Sequence, residues 1–157
     1  MPTSRVLFLN PPGPRYLYRG TVCTYLSKAR YVWKPKDFIL MSGRIPAGWE
    51  IRFVDAAIRR LDADETMRRA AEAAPDRIVL ALSSIHWEED LAFLKRLREA
   101  QPKAHLTVFG EVLLEAGYRS QAEPHCDAVL FNPVQYDVGE ASFPGHDAEP
   151  RKGGQAI

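Results

Sequence analysis

Most of the side chains able to do chemistry fall in four stretches, each following an apolar run. These are Asn10-Pro11-Pro12-Gly13, Ser83-Ser84-Ile85-His86, Gly110-Glu111 and Asn132-Pro133. The first continues to Gly43 and mixes Cys23 with Tyr18, Tyr25, Tyr31, Trp33 and several Lys and Arg residues. His86 offers a base or a ligand, or else a solvent-facing side chain in the first turn of a helix. Cys23, in basic surroundings, offers a reactive thiolate or a small filler side chain. Ser83 and Ser84 can hydrogen-bond a ligand or cap the helix after them. Asp55 can meet a ribose hydroxyl or act as a cap. Cys126 reads as buried, and His105, His125 and His146 as structural or exposed. No catalytic set is complete: G-x-G-x-x-G, G-x-x-x-x-G-K-[ST] and G-x-S-x-G are all missing. Two cysteines are too few for a disulfide framework or a zinc knuckle.

The elements that must position these residues are legible from apolar periodicity. Arg5 to Asn10 is a continuous apolar run stopped by Pro11-Pro12-Gly13-Pro14, as a central parallel strand would be. A long insertion follows, irregular at first and then helical from Pro35 or Lys36 to about Gly43. Trp49 to Asp55 predicts a second strand, whose Glu50 and Arg52 suit an edge. Asp62 to Ala74 predicts a helix opened by a capping box, Asp62-x-x-Glu65, and stopped by Pro75. Arg77 to Leu82 is a buried strand. Trp87 to Ala100 is a helix with Trp87, Leu91, Leu94 and Leu97 on one face and its charges matched to the dipole. His105 to Gly110 is the fourth strand, Glu111 to Glu123 a weaker helix interrupted at Gly117, and Asp127 to Asn132 the fifth strand.

Strands alternating with helices predict a five-stranded parallel sheet covered on both faces. The strand order 2-1-3-4-5 places the ligand crevice beside strands one and three, at their carboxyl ends. Residues 1–132 form the domain, with an insertion over 14–48; residues 133–157 read as a polar tail or linker.

Composition narrows the function. Of 157 residues 46% are hydrophobic and 26% charged, an ordinary globular mix. No apolar run reaches bilayer-spanning length and no secretory signal pattern opens the chain, so a cytoplasmic protein without a membrane partner is expected. Residues 1–44 carry eight Lys or Arg against the single acid Asp37, a net +7 in a chain of net +1. That asymmetry suits an anionic ligand or an acidic partner, or a plain solvated basic surface. Nucleic acid is not the expected partner, because the remainder is acidic and no nucleic-acid-binding motif is present.

The succession of blocks resembles the N-terminal cobalamin-binding domain of B12-dependent radical SAM proteins. The first strand ends in Asn10-Pro11-Pro12. A pattern found in one group of these proteins follows as Arg19, Cys23, Ser27, Lys28, Ala29, Tyr31, Trp33, Pro35 and Asp37, then FVDA containing Asp55, PDRIVLALSS and EEDLAFLKRLREAQPKAHLTVFGE. The resemblance spans roughly residues 5–132. It implies a flavodoxin-like, Rossmann-like three-layer fold holding a corrinoid, methylcobalamin or hydroxocobalamin, over the carboxyl ends of the strands. The contacts it implies are Asn10, Pro12, Gly13, Tyr31, Ser83, Ser84, Ile85, Gly110, Glu111 and Asn132. No D-x-H-x-x-G motif offers cobalt a histidine. A [4Fe–4S] cluster and its SAM site need a C-x-x-x-C-x-x-C motif, which this chain lacks. The expected partner is therefore a radical SAM domain or subunit, in a system that transfers methyl groups (a methyltransferase), with no catalysis by this chain alone. The alternative is a cofactor-free scaffold or regulatory domain that binds another protein.

Overall fold

Both faces of the central strand are apolar, and both are buried. In β1 (Arg5–Asn10) Leu7 and Leu9 face one side of the sheet while Val6 and Phe8 face the other, all essentially without solvent exposure. The same alternation runs through β5 (Arg77–Ala81) and β6 (His105–Phe109). A period of two on a two-sided core gives the continuous apolar runs seen in the sequence. Each fully buried Leu, Ile or Phe contributes roughly 1.5–3 kcal/mol.

The computed structural model describes residues 4–14, 16–28 and 35–131. Tyr31, Trp33, Asn132, His146 and the whole 133–157 segment lie outside them. After β1 come β2 (Leu17–Tyr18), β3 (Tyr25–Leu26), α1 (Lys36–Ser42) and β4 (Glu50–Asp55). Next are α2 (Ala56–Arg59), α3 (Ala63–Ala73), β5, α4 (Trp87–Ala100), β6, α5 (Ala116–Ala122) and β7 (Ala128–Leu130). The main sheet is parallel throughout, in the order β4-β1-β5-β6-β7. This is the expected order, with β4 as the predicted edge strand, and the fold is a flavodoxin-like three-layer α/β domain. Residues of α3, α4 and α5 pack with Leu7, Leu80 and Val108 on one face, and Phe38 and Met41 of α1 pack with Phe8, Val79 and Phe109 on the other. Among the described residues no helix is long and apolar enough to cross a membrane.

Local chemistry accounts for most of the boundaries. Asp55 caps α2 by accepting from Ile58 N at 3.1 Å, which is the cap reading of that residue. Asp62 caps α3 by accepting from Glu65 N at 2.8 Å. Only half of the expected capping box forms, because the Glu65 carboxylate turns to Arg68 and Arg69 instead. Ala74, in the left-handed region at φ 43°, closes α3 ahead of Pro75.

Two segments differ from the sequence-based expectation. The stretch before α1, expected to be irregular, contains the antiparallel pair β2–β3, with Tyr18 and Tyr25 stacked at 5.2 Å between centroids. The helix expected over Glu111–Glu123 is three pieces: a 3₁₀ turn at Glu111–Leu114, α5, and a second 3₁₀ turn at Glu123–His125. The break falls at Glu115, which is extended, and Gly117 lies inside α5.

The 3₁₀ turn starts at Gly110, whose φ of +150° and ψ of 156° belong to a region that only glycine occupies readily. A Cβ there would stand 2.2 Å from the Leu82 carbonyl oxygen. Gly110→Ala is therefore expected to cost about 3 kcal/mol of unfolding free energy in urea titrations. Gly117→Ala, with nothing within 4 Å of the new methyl, should be neutral or stabilise by roughly 0.5–1 kcal/mol. Equal effects at the two positions would contradict this account of Gly110.

Candidate functional site

A buried polar hub occupies the carboxyl ends of β1, β4 and β5. Its centre is Arg19, which the insertion carries back to the sheet. Arg19 Nε donates to Asp90 Oδ2 at 2.9 Å and Nη2 to Asp90 Oδ1 at 2.7 Å, a bidentate pair. Nη1 donates to Asn10 Oδ1 at 3.0 Å and to the Pro11 carbonyl at 3.2 Å, and Nη2 also to the Pro12 carbonyl at 3.0 Å. These contacts use all five N–H donors of a guanidinium. The Arg19 and Asp90 side chains are 1% and 0% exposed. The Asp90 Oδ2 atom also accepts from Ser83 N and Ser83 Oγ, both at 2.9 Å. Asn10 Nδ2 in turn donates to Asp55 Oδ1 at 2.9 Å. One network thus joins the insertion, three strand ends and the first turn of α4.

The local sequence explains the cradle. The two prolines hold the chain extended as it leaves β1 and leave their carbonyls free to accept. Gly13 permits the guanidinium to come close, since a Cβ there would lie 2.8 Å from Arg19 Nη2. Taking both ions out of water costs several kcal/mol each, which the fork geometry and the filled remaining sites offset.

A second junction forms around Glu111, half-buried just after Gly110. Its Oε1 accepts from Ser84 N at 3.1 Å and Ser84 Oγ at 2.6 Å, and its Oε2 accepts from Thr24 Oγ1. Its own N–H donates to the Gly20 carbonyl at 3.2 Å. The insertion is further tied to α1, where Asp37 Oδ2 accepts from Thr21 N at 2.9 Å. The loops after β1, β5 and β6 therefore meet at one place, with the side chain of Ile85 exposed beside Ser84.

His86 is not the solvent-facing residue expected. Its side chain is mostly covered, and Nδ1 lies 3.6 Å from Asp90 Oδ1 and 3.9 Å from Glu89 Oε2, ion-pair rather than hydrogen-bond distances. The Asp90 carboxylate raises the imidazole pKa above its ordinary value; burial opposes this, and Glu89 adds to it. Asp55 is also raised, by burial, against the opposing effect of its bonds from Ile58 and Asn10. Burial, with Asp37 and Tyr25 nearby, pushes the Tyr18 phenol up to about 12. Burial likewise pushes the Cys126 thiol up to about 12, so it is no nucleophile at neutral pH. Cys23 is exposed, which overturns its reading as a filler.

Ser83, His86 and Asp90 have the residue types of an acyl-transfer triad without its geometry. Ser83 Oγ is fully buried and donates to Asp90, and its contact with His86 is to the backbone N–H at 3.2 Å. Among the described residues no group of three His, Cys, Asp or Glu side chains is arranged to hold a metal ion. A narrow cleft opens beside the hub, lined by Asn10, Tyr16, Tyr18, Arg19, Phe38 and Asp55 among others.

The structure brings together most of the residues that the sequence singles out. Asn10, Pro12, Gly13 and Ser83 belong to the hub, and Ser84, Ile85 and Glu111 to the second junction. Gly110 is buried against Leu82, where it permits close approach of two strand ends rather than presenting a surface. Tyr31 and Asn132 lie outside the described residues. The sequence-based list omits Arg19, Asp90, Asp37 and Thr24. Asp90 had a signal: with Trp87, Leu94 and Leu97 it falls on the apolar stripe of α4, where an acid must find a buried partner. Comparison with family models, with curated proteins and with solved structures finds no match.

Three measurements check this description. Arg19→Met strands the Asp90 carboxylate in the interior and should cost about 3–5 kcal/mol, much of it recovered by adding Asp90→Leu. Amide exchange over residues 17–26 should quicken in the single variant; a loss below about 1 kcal/mol would contradict a central role for the pair. His86, with its pKa raised on folding, stabilises the fold fully below its unfolded pKa, and that contribution is lost as pH rises through the folded value. The stability advantage of the parent over His86→Gln should accordingly be largest in mild acid and shrink in mild alkali. An advantage that grows with pH would reverse the assigned sign.

Proposed function

We propose that the domain binds a corrinoid on the carboxyl edge of its sheet, as the ligand-holding part of a methyl-transferring radical SAM system. The observation that supports this most is the meeting of the loops after β1, β5 and β6 around Glu111. Ile85 is exposed there, and Val22 and Leu114, exposed as well, stand two and three residues from Thr24 and Glu111. Apolar surface with a few polar groups beside it, next to a topological switch point, suits a broad disc with amide groups at its rim.

The residues fit such a ligand in a specific way. Ile85 and Val22 offer apolar contact, and Ser84, Thr24 and the Glu111 carboxylate offer partners for amides. His86 directs its Nδ1 toward Asp90, at 3.6 Å from Oδ1. A corrinoid bound here would supply a transferable methyl group. The chain's own residues bind it, orient it and shield one face from water. The chemistry at the substrate belongs to the radical SAM partner.

One observation favours a second reading, a cofactor-free scaffold. All five donors of Arg19 are satisfied internally, so the hub fills the crevice between β1 and β5 by itself.

Titration with hydroxocobalamin and methylcobalamin, followed by visible absorption and calorimetry, separates the two. One-to-one binding with a base-off spectrum is expected. Ile85→Asp should weaken it about tenfold or more with an unchanged circular dichroism spectrum. A folded protein that binds neither compound at high micromolar concentration would leave the scaffold reading standing.

A further inference from the structure

β4 is an edge strand built to pair. It is as long as β1, contains no proline, and keeps its register with β1 without a bulge over all six residues. Edges are normally blunted by such devices or by charged side chains, lysine above all. Here Asp55 is buried, and the other two charges of β4, Glu50 and Arg52, are opposite in sign and pair with each other, Glu50 also meeting Arg5 at 3.3 Å. Ile51 and Phe53 are 43% and 41% exposed, and Ile39 and Leu40 of α1 are half exposed as well. The helix lies on the same face, since Phe38 stands edge-on to Phe53 with centroids 5.4 Å apart.

The backbone phase selects a register. Glu50 N donates to the Ser4 carbonyl beside β1, so Glu50, Arg52 and Val54 turn their amides inward. The two sets alternate along a parallel strand, so Ile51 and Phe53 direct theirs outward. A second β4, related by a twofold axis through Ile51, would run antiparallel with Ile51 opposite Ile51 and Phe53 opposite Trp49. Glu50 and Arg52 would then face Arg52 and Glu50 of the other copy at the pairs where side chains stand closest. An axis through Arg52 sets two cations face to face, and one through Phe53 sets Arg52 against Val54. Only the first register matches both charges.

We propose that β4 is the interface between two copies of this chain, joined antiparallel about Ile51 into one continuous sheet. The interface is isologous and closes on itself, so it yields a dimer rather than a fibre. It is independent of the corrinoid proposal, because Ile51 lies near the amino end of β4 and the proposed ligand surface lies at the carboxyl ends of the strands.

Sedimentation equilibrium of the full chain across the micromolar range tests the interface, with circular dichroism confirming that each variant is folded. The parent should be dimeric. Arg52→Glu sets acids opposite one another and should raise the dimer Kd at least about tenfold. Combining it with Glu50→Arg should restore the dimer. Ile51→Lys, at an exposed position, should give monomers. A parent that stays monomeric overturns the proposal, as does a dimer that neither Arg52→Glu nor Ile51→Lys weakens. A double variant that fails to recover overturns the register.

Discussion

The pairing of Arg19 with Asp90 is the constraint on which the carboxyl edge depends. Two opposite charges sit in the interior with almost no exposure, and neither is tolerable there alone. The other hydrogen bonds to the pair come from two strand ends. Asn10 and the Pro11 and Pro12 carbonyls come from the end of β1, and Ser83 comes from the end of β5. The guanidinium therefore sets where the insertion lies, and the insertion then brings Thr24 to Glu111 and Thr21 to Asp37. A buried network of this kind specifies one arrangement because a partly satisfied version is worse than none.

The same interaction divides the edge into two zones. The hub is closed: its donors and acceptors answer one another. The Glu111 junction is more open, with the apolar Ile85 side chain at the surface. Gly110 separates the zones by letting the end of β6 press against Leu82, which a side chain would prevent.

Much of the scaffold was legible in the sequence because its causes are local. Continuous apolar runs marked β1 and β5, Pro35 and Pro75 marked helix limits, and the charges at both ends of α4 placed it to the residue. The errors have equally physical causes. The β2–β3 pair has only two residues per strand, too few for a period, and rests on the stacking of Tyr18 with Tyr25. Gly117 looked like a helix break because glycine is a poor helix former, yet the chain breaks two residues earlier, at Glu115, after the tight turn that Gly110 starts. At the carboxyl edge, Asn10, Ser83, Ser84 and Glu111 come together as the topology leads one to expect, since residues at strand ends converge wherever the sheet is parallel.

By itself, then, the sequence determined the parallel sheet, its strand order and the edge at which the polar loops meet. These follow from periodicity, from turn residues and from the handedness of crossovers, all properties of short stretches of chain. Only the tertiary structure decided which charges would pair in the interior. Arg19 and Asp90 are separated by 71 positions; Arg19 lies in a basic segment like its neighbours, and the place of Asp90 on the apolar stripe of α4 calls for a buried partner without naming it. Their pairing depends on the insertion folding back over the strand ends, and no local pattern encodes a contact whose free energy arises from removing both partners from water together.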